Sequence, residues 1–429
     1  MEKSHEMMDA HPKGLRPLFL TEMWERLSFY GMRALLVLYL VKELKFSDES
    51  AGQVYGLYTS LVYLTPILGG YIADRYFGYK RSIYLGSILM LSGHLSLAIP
   101  GLSTFYLGLA LLILGNGFFK PNMSTLVGRL YENQPNLRDS GYTIFYMGIN
   151  LGGLIGPIIC GSLGERVNWH YGFGAAGVGM AIGLLVFYIG TRSFPNELWE
   201  SSAERNLRLP TDEANSKKNV FLILLLALFS IIFWMAFEQM GSSMNLFADR
   251  FTDRTLGDWN VPASILQSIN PFFILLLSPI ISVLWQKLGT KNPDPILKFV
   301  LSLIILGFGF LVMVYASYQT VSIGLVSIWF LFAAYFLNTL SELFLSPVGL
   351  SFVSGRAPIR FAGLLMGVWF LSNALGHYFA GFLSGYFSSF ENLADFFWFF
   401  VMTSWIGAFV LFLIWLRLRS WFRSTQPIV

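Results

Sequence analysis

The sequence predicts an all-α membrane protein of about twelve transmembrane helices in two six-helix bundles. The first observation is composition. The 429 residues are 55% hydrophobic, 17% aromatic and 13% charged, with a mean hydropathy of +0.57. Soluble domains carry about 25% charged residues, so a polytopic membrane protein is the ordinary class that fits. The second is spacing: apolar stretches near 20 residues, enough to cross a hydrocarbon core, recur about twelve times. The third is a polar break over residues 192–218, with Pro195, Pro210 and a mixed-charge run from Glu197 to Lys218, between two sets of six. A polar, charged segment of this kind reads as an exposed linker. The expected organisation is a first bundle over 1–191, a cytoplasmic linker over 192–218 and a second bundle over 219–429.

In the first half the spans centre near Tyr30, Tyr63, Met90, Gly115, Leu151 and Ile182. In the second they centre near Ile232, Leu275, Leu306, Phe332, Phe370 and Phe409. The first stretch is too long for a signal-peptide core, and no small-residue cleavage site follows it. The single cysteine, Cys160, lies in an apolar run and excludes a disulfide framework within the chain. Orientation follows from the basic residues. With the N-terminus cytoplasmic, twenty-one Lys and Arg fall inside and only Lys42, Lys45, Arg166, Arg250 and Arg254 outside. That bias places both termini in the cytoplasm.

Three bases remain, all at membrane depth: Arg26, Arg33 and Lys120. The acids at that depth are Glu22, Glu25, Glu238 and Glu342. A charge at the bilayer centre costs roughly 3 kcal/mol or more, so such residues mark functional pathways by default. Positions 22, 25, 26, 29, 30 and 33 share one broad helical face, which cannot face lipid. The competing account is a set of structural ion pairs. His94 and His377, single histidines in apolar spans, read more simply as packed core residues. The outer run Asp249, Arg250, Asp253, Arg254 and Asp258 reads as a solvated loop. No metal cluster, phosphate-binding loop or nucleophile–base pair is visible, so neither an enzyme, a cofactor nor a nucleic-acid partner is expected.

Several segments carry a resemblance. The loop Asp74-Arg75-Tyr76-Phe77-Gly78-Tyr79-Lys80-Arg81 resembles the cytoplasmic motif of the major facilitator superfamily. Glu22-x-x-Glu25-Arg26 with Phe29-Tyr30-Gly31 is similar to the ExxER signature of proton-dependent oligopeptide transporters. Gly115–Asn122 around Lys120, Phe145–Gly153 around Asn150, Phe237-Glu238-Gln239 and Ser341–Leu350 around Glu342 resemble further signatures of that family, in the same order. Two departures stand out. The linker is too short for the extra helical hairpin that many bacterial members carry, and Phe29 occupies a place where a second tyrosine is common.

The resemblance implies a major facilitator fold and a role for each matched position. Arg26, Arg33 and Lys120 would hold a peptide carboxylate and Glu342 its ammonium group. Tyr30, Tyr63, Asn150 and Asn270 would bond the peptide backbone, and Trp369 would shape a side-chain pocket. Glu22, Glu25, Arg26 and Glu238 would couple protons. Arg33 with Glu238 and Lys120 with Glu342 would be gating salt bridges, and Asp74, Arg75, Lys80 and Arg81 the cytoplasmic loop motif. The implied function is proton-coupled import of di- and tripeptides across the cell (plasma or inner) membrane by alternating access, as a monomer, with peptides, protons and the lipid bilayer as partners. Two alternatives stay open: a carrier for another small solute (an amino acid, nitrate or a peptide-like drug) and a non-transporting membrane receptor.

Overall fold

A computed structural model describes residues 11–192, 194–199, 216–358 and 362–423. Most of the expected linker lies outside the described residues. Among the described residues there are twelve helices of 20 residues or more: α1 (Leu15–Lys42), α2 (Asp48–Ile72), α3 (Gly78–Leu97), α4 (Leu102–Leu130), α5 (Arg138–Arg166), α6 (Trp169–Gly190), α7 (Ser216–Phe237), α8 (Ile269–Leu288), α9 (Pro295–Ile323), α10 (Ile328–Arg356), α11 (Ala362–Ser384) and α12 (Leu393–Arg423). Eight helical stretches are long and apolar enough to cross a membrane by length and composition. Helix α1 falls short of that apolarity because it carries Glu22, Glu25, Arg26 and Arg33. The expected all-helical membrane architecture is therefore what the chain adopts.

The chain separates into two compact units. The first comprises Met1–Tyr39 and Leu61–Arg208, and the second Leu40–Ser60 and Leu209–Val429. The tip of α1 and the first half of α2 thus belong with the later helices.

Close helix approach in the first unit depends on glycine, because small residues let backbones meet where lipid supplies no hydrophobic drive. A Cβ on Gly86 of α3 would lie 2.7 Å from the Gly115 carbonyl oxygen of α4, and one on Gly93 would lie 2.9 Å from that of Gly108. Helix α2 ends in a π-helical turn, Ala73–Phe77, and Gly78 (φ 69°) lets the chain turn into α3. There the Tyr79 hydroxyl donates to Asp74 at 2.7 Å, and Arg75 donates to the Tyr71 hydroxyl at 3.2 Å. The Lys80 ammonium lies 5.2 Å from the Trp199 ring centroid.

In the second unit, α7 is continued past a 3₁₀ turn, Glu238–Gly241, by a short helix, Ser243–Phe251. That short helix corrects the solvated-loop reading at Asp249 and Arg250, whereas Asp253 and Asp258 are exposed as expected. Arg250 forms a bidentate pair with Asp48, with Nη1 2.7 Å from Oδ2 and Nη2 2.6 Å from Oδ1. Ser388 donates to Asp48 as well, and Lys42 pairs with Asp249 at 2.9 Å. Beside this polar cluster, Gly52 and Gly56 of α2 pack directly on Gly381 of α11.

Asp48 lies at the α1–α2 turn, outside the apolar spans. Burial alone would raise its pKa, but hydrogen bonds from Arg250 and Ser388 hold it below its ordinary value of 3.8. A carboxylate with a lowered folded-state pKa contributes stability above the unfolded value and loses it as pH falls through the folded one. The pair should therefore persist at the mildly acidic pH of a proton gradient and break only below about 3.8. Hydrogen-exchange protection in residues 243–251, relative to the intrinsic rate at each pH, should be flat between neutral and mildly acidic pH in the native chain, and lower throughout in Asp48→Asn.

Candidate substrate and proton site

Helix α1 supplies most of the site in the first unit. Glu22 and Arg26 are one turn apart, so their side chains meet on one face. The Arg26 Nε lies 3.0 Å from Glu22 Oε1 and 2.5 Å from Glu25 Oε2, with all three residues buried. One guanidinium nitrogen donates to Glu22 and forms an ion pair with Glu25. Arg26 Nη2 is buried without a hydrogen-bond partner among the described residues, as are both Glu25 carboxylate oxygens. A buried donor left unpaired costs about 1–3 kcal/mol, more when charged.

The other expected residues of this unit gather nearby. Arg26 lies 5.3 Å from the Phe29 ring, which packs edge-on against Tyr30 at 5.2 Å. Phe29 is thus an aromatic floor for the guanidinium, a role that needs no hydroxyl. Lys120 lies within electrostatic range of Glu22, Glu25, Arg26 and Arg33, and its ammonium sits 4.4 Å from the Tyr63 ring centroid. Tyr30 and Tyr63 lie within electrostatic range of Arg26. Three bases and two acids of the first unit thus act on one another at membrane depth. Asn150 is buried on α5 and donates to the Tyr146 carbonyl of its own helix at 3.0 Å.

The glycines around Asn150 have a positioning role that the motif reading did not supply. Gly148 abuts Phe19, Gly152 abuts the Met23 carbonyl and the Arg26 Cβ, and Gly156 abuts Leu27 and Gly31. They form the bed on which α1 lies and fix the depth of Arg26. A methyl group at Gly152 would overlap the Met23 carbonyl oxygen and come within 2.9 Å of the Arg26 Cβ. Overpacking of this kind costs about 1–3 kcal/mol. Gly152→Ala should lower the unfolding temperature in detergent and reduce transport, whereas Gly174→Ala on α6, with only a 3.8 Å contact to meet, should change neither.

In the second unit Asn270 and Glu342 come together. The Asn270 amide donates to Glu342 Oε2 at 3.0 Å and to Thr339 Oγ1 at 3.0 Å. Thr339 and Glu342 lie three residues apart on α10, one turn of a single face. Trp369 is buried on α11, against Gly349 and 6.3 Å from the Phe299 ring. Glu238 is buried at the 3₁₀ turn that interrupts α7, and its Oε1 lies 3.2 Å from His377 Nε2. Mid-helix 3₁₀ segments recur at functional hinges, and interrupted helices line the binding sites of secondary transporters. Sequence reasoning read His377 as a packed core histidine. No local signal separates it from His94; only the fold of α11 against α7 brings it to Glu238.

The sequence matches the POT family over residues 80–207 and 202–399. The chain belongs to the POT family. It is 37% identical to an uncharacterized transporter, YclF, of Bacillus subtilis over 423 residues, covering 85% of this chain and 86% of the relative. It is 34% identical to a di-/tripeptide transporter of Lactococcus lactis subsp. lactis over 443 residues, covering 87% of this chain and 89% of the relative. Among solved structures, a POT peptide transporter in complex with sulfate shares 32% identity, with a TM-score of 0.87 over 95% of each chain. This POT member is therefore a multi-pass membrane transporter with the major facilitator fold. The resemblance in its motifs and the match along its length agree.

Proposed function

We propose that the chain is a proton-coupled symporter that imports di- and tripeptides by alternating access. The observation that carries this reading is the geometry at Arg26: Nε between two buried carboxylates, Nη2 without a partner. A peptide carboxylate suits the free end of the fork, and planar two-pronged recognition is what arginine offers over lysine. Lys120 adds a point charge and Arg33 a second guanidinium. Glu342, oriented by Asn270, suits the peptide ammonium group. Two termini of opposite charge, recognised by separate groups, leave the side chains free to vary. The peptide-transporting relative is consistent with that substrate class.

Coupling to protons follows from sharing. Protonation of Glu22 or Glu25 removes one competitor for Arg26 and frees the guanidinium for substrate. Unpaired charge is costly in a closed, low-dielectric cavity, so the empty and the jointly loaded carriers reorient while a half-loaded one does not. Arg33 with Glu238 and Lys120 with Glu342 are the pairs we assign to gating during that cycle. Asp74, Arg75, Lys80 and Arg81 form the cytoplasmic loop motif. The protein works as a monomer in the plasma or inner membrane, with both termini in the cytoplasm, and performs no catalysis.

The test is competition. Labelled dialanine uptake into proteoliposomes at acidic outside pH should be inhibited by di- and tripeptides of varied side chain. Free alanine, nitrate and N-acetyl-dialanine should inhibit far less. Inhibition by nitrate or amino acids with none by peptides would replace the proposed substrate class.

A further inference from the structure

We propose that the groove between α3 and α6 binds one anionic phospholipid of the cytoplasmic leaflet, with an acyl chain in the groove and the phosphate on Arg192 and Arg81. The choice of leaflet rests on the orientation proposed above; the binding itself needs no transport. Helices α3 and α6 run antiparallel. At one end they pack closely: a Cβ on Gly174 would lie 3.8 Å from the Ala98 Cβ, and one on Gly177 would lie 3.5 Å from the His94 Cβ. Continued toward the other end, that register sets Leu91 level with Ala181, Ile88 with Leu184 and Tyr84 with Tyr188. There the helices leave a groove of about 380 Å³, lined by these six residues and Leu185. Ile88, Leu185 and Tyr188 are exposed, on spans whose outer faces meet hydrocarbon. Tyr84 packs edge-on against the buried Phe187 ring at 5.1 Å, which fixes the wall near the mouth.

The mouth of this groove is basic. Positions 84, 88 and 91 of α3 form one helical stripe, and Arg81, exposed, precedes them by one turn on the same stripe. On the facing side Arg192, also exposed, follows Tyr188 by one turn, just past the end of α6. Its guanidinium carbon lies over the Tyr188 ring, 4.3 Å from the centroid. Stacking on an aromatic face leaves the N–H donors of a guanidinium in their own plane, where they match phosphate oxygens two at a time. Tyr84 hydrogen-bonds with the Thr191 side chain and lies within electrostatic range of Tyr188 and Arg192. Two tyrosines thus sit at the mouth, as aromatic residues do at a membrane–water interface. Lys80 is turned away, toward Trp199. The length also fits. At 1.5 Å per residue the stretch from Arg192 back to Ala181 spans about 16 Å, close to half of the roughly 30 Å hydrocarbon core. A free anion would occupy only the mouth, and a bare hydrocarbon only the groove. A phospholipid supplies both at this spacing. Two guanidinium groups favour a headgroup of net negative charge over a zwitterionic one, whose own cation offsets its phosphate.

Two measurements test this. The first is native mass spectrometry of the full chain in detergent, titrated with phosphatidylglycerol or phosphatidylcholine. The first phosphatidylglycerol to bind should do so about tenfold more tightly than the first phosphatidylcholine. Arg192→Gln should weaken phosphatidylglycerol about fivefold, and Ala181→Phe, which fills the groove, should weaken both lipids. Inorganic phosphate and glycerophosphoglycerol, the headgroup without its chains, should not displace the lipid. Equal affinity for the two lipids, or unchanged binding in Arg192→Gln, would overturn the phosphate contact. Displacement by either chainless anion would reduce the site to an anion site at the mouth and overturn the lipid. The second measurement needs no substitution: phosphatidylglycerol with a photoreactive group midway along one acyl chain is crosslinked to the wild-type chain. Adducts should fall within residues 84–91 and 181–188, and adducts confined to other segments would overturn the groove. Neither measurement involves peptide. A chain that binds this lipid and moves no peptide would remove the symport reading alone, and a chain that concentrates peptide without binding the lipid here would remove this inference alone.

Discussion

Arg26→Ala should lower dialanine uptake about 100- to 4000-fold while the protein still reaches the membrane. The substitution removes the guanidinium that forms ion pairs with two buried carboxylates. Breaking a buried ion pair by deleting one partner costs about 3–5 kcal/mol, and each 1.4 kcal/mol is tenfold in an equilibrium. The loss falls on substrate and on coupling together, because the same guanidinium serves both. Arg26→Lys should recover little, since a compact ammonium lacks the planar fork that keeps one edge on the carboxylates while a terminal nitrogen reaches a ligand. Initial uptake rates, normalised to protein that elutes as a single species in detergent, provide the check. Retention of a tenth of wild-type uptake by Arg26→Ala would remove it from the centre of the site.

Glu342→Ala should raise the KM for dialanine about 30- to 4000-fold. Truncating one side of a buried charge pair costs about 2–5 kcal/mol, and the peptide ammonium group loses its partner. Glu342→Gln separates charge from shape, because it keeps an acceptor for the Asn270 amide. If charge is what matters, Gln should behave nearly as Ala does. The preference for dialanine over N-acetyl-dialanine should also disappear in both variants. A variant that keeps that preference would place ammonium recognition on another group.

Much of this was legible in the sequence. Hydropathy and spacing were enough for the helices, since only a helix satisfies its own backbone in lipid. The charges of α1 announced themselves by the cost of putting them there. What stayed hidden depended on long-range contact. The bidentate pair of Arg250 joins it to Asp48, 202 positions away, so Asp249 and Arg250 read as solvent-exposed when taken alone. The break in α7 at Glu238 follows no proline. Its physical basis is tertiary, with Gln239 bonded to the Ala380 carbonyl of α11. The fifth-span glycines read as a signature, but their action as a bed for α1 required the packed helices. His377 is a further case, since only the fold of α11 against α7 brings this isolated histidine to Glu238.

The most direct measurement is accumulation of labelled dialanine in proteoliposomes under an imposed inward proton gradient, for the wild-type chain and for Glu22→Gln. The wild type should concentrate the peptide above the external level and lose that excess when a protonophore collapses the gradient. Glu22→Gln should exchange peptide across the membrane without concentrating it. A wild type that only equilibrates whatever the gradient, or a Glu22→Gln chain that concentrates dialanine normally, would contradict proton-coupled symport through the α1 carboxylates.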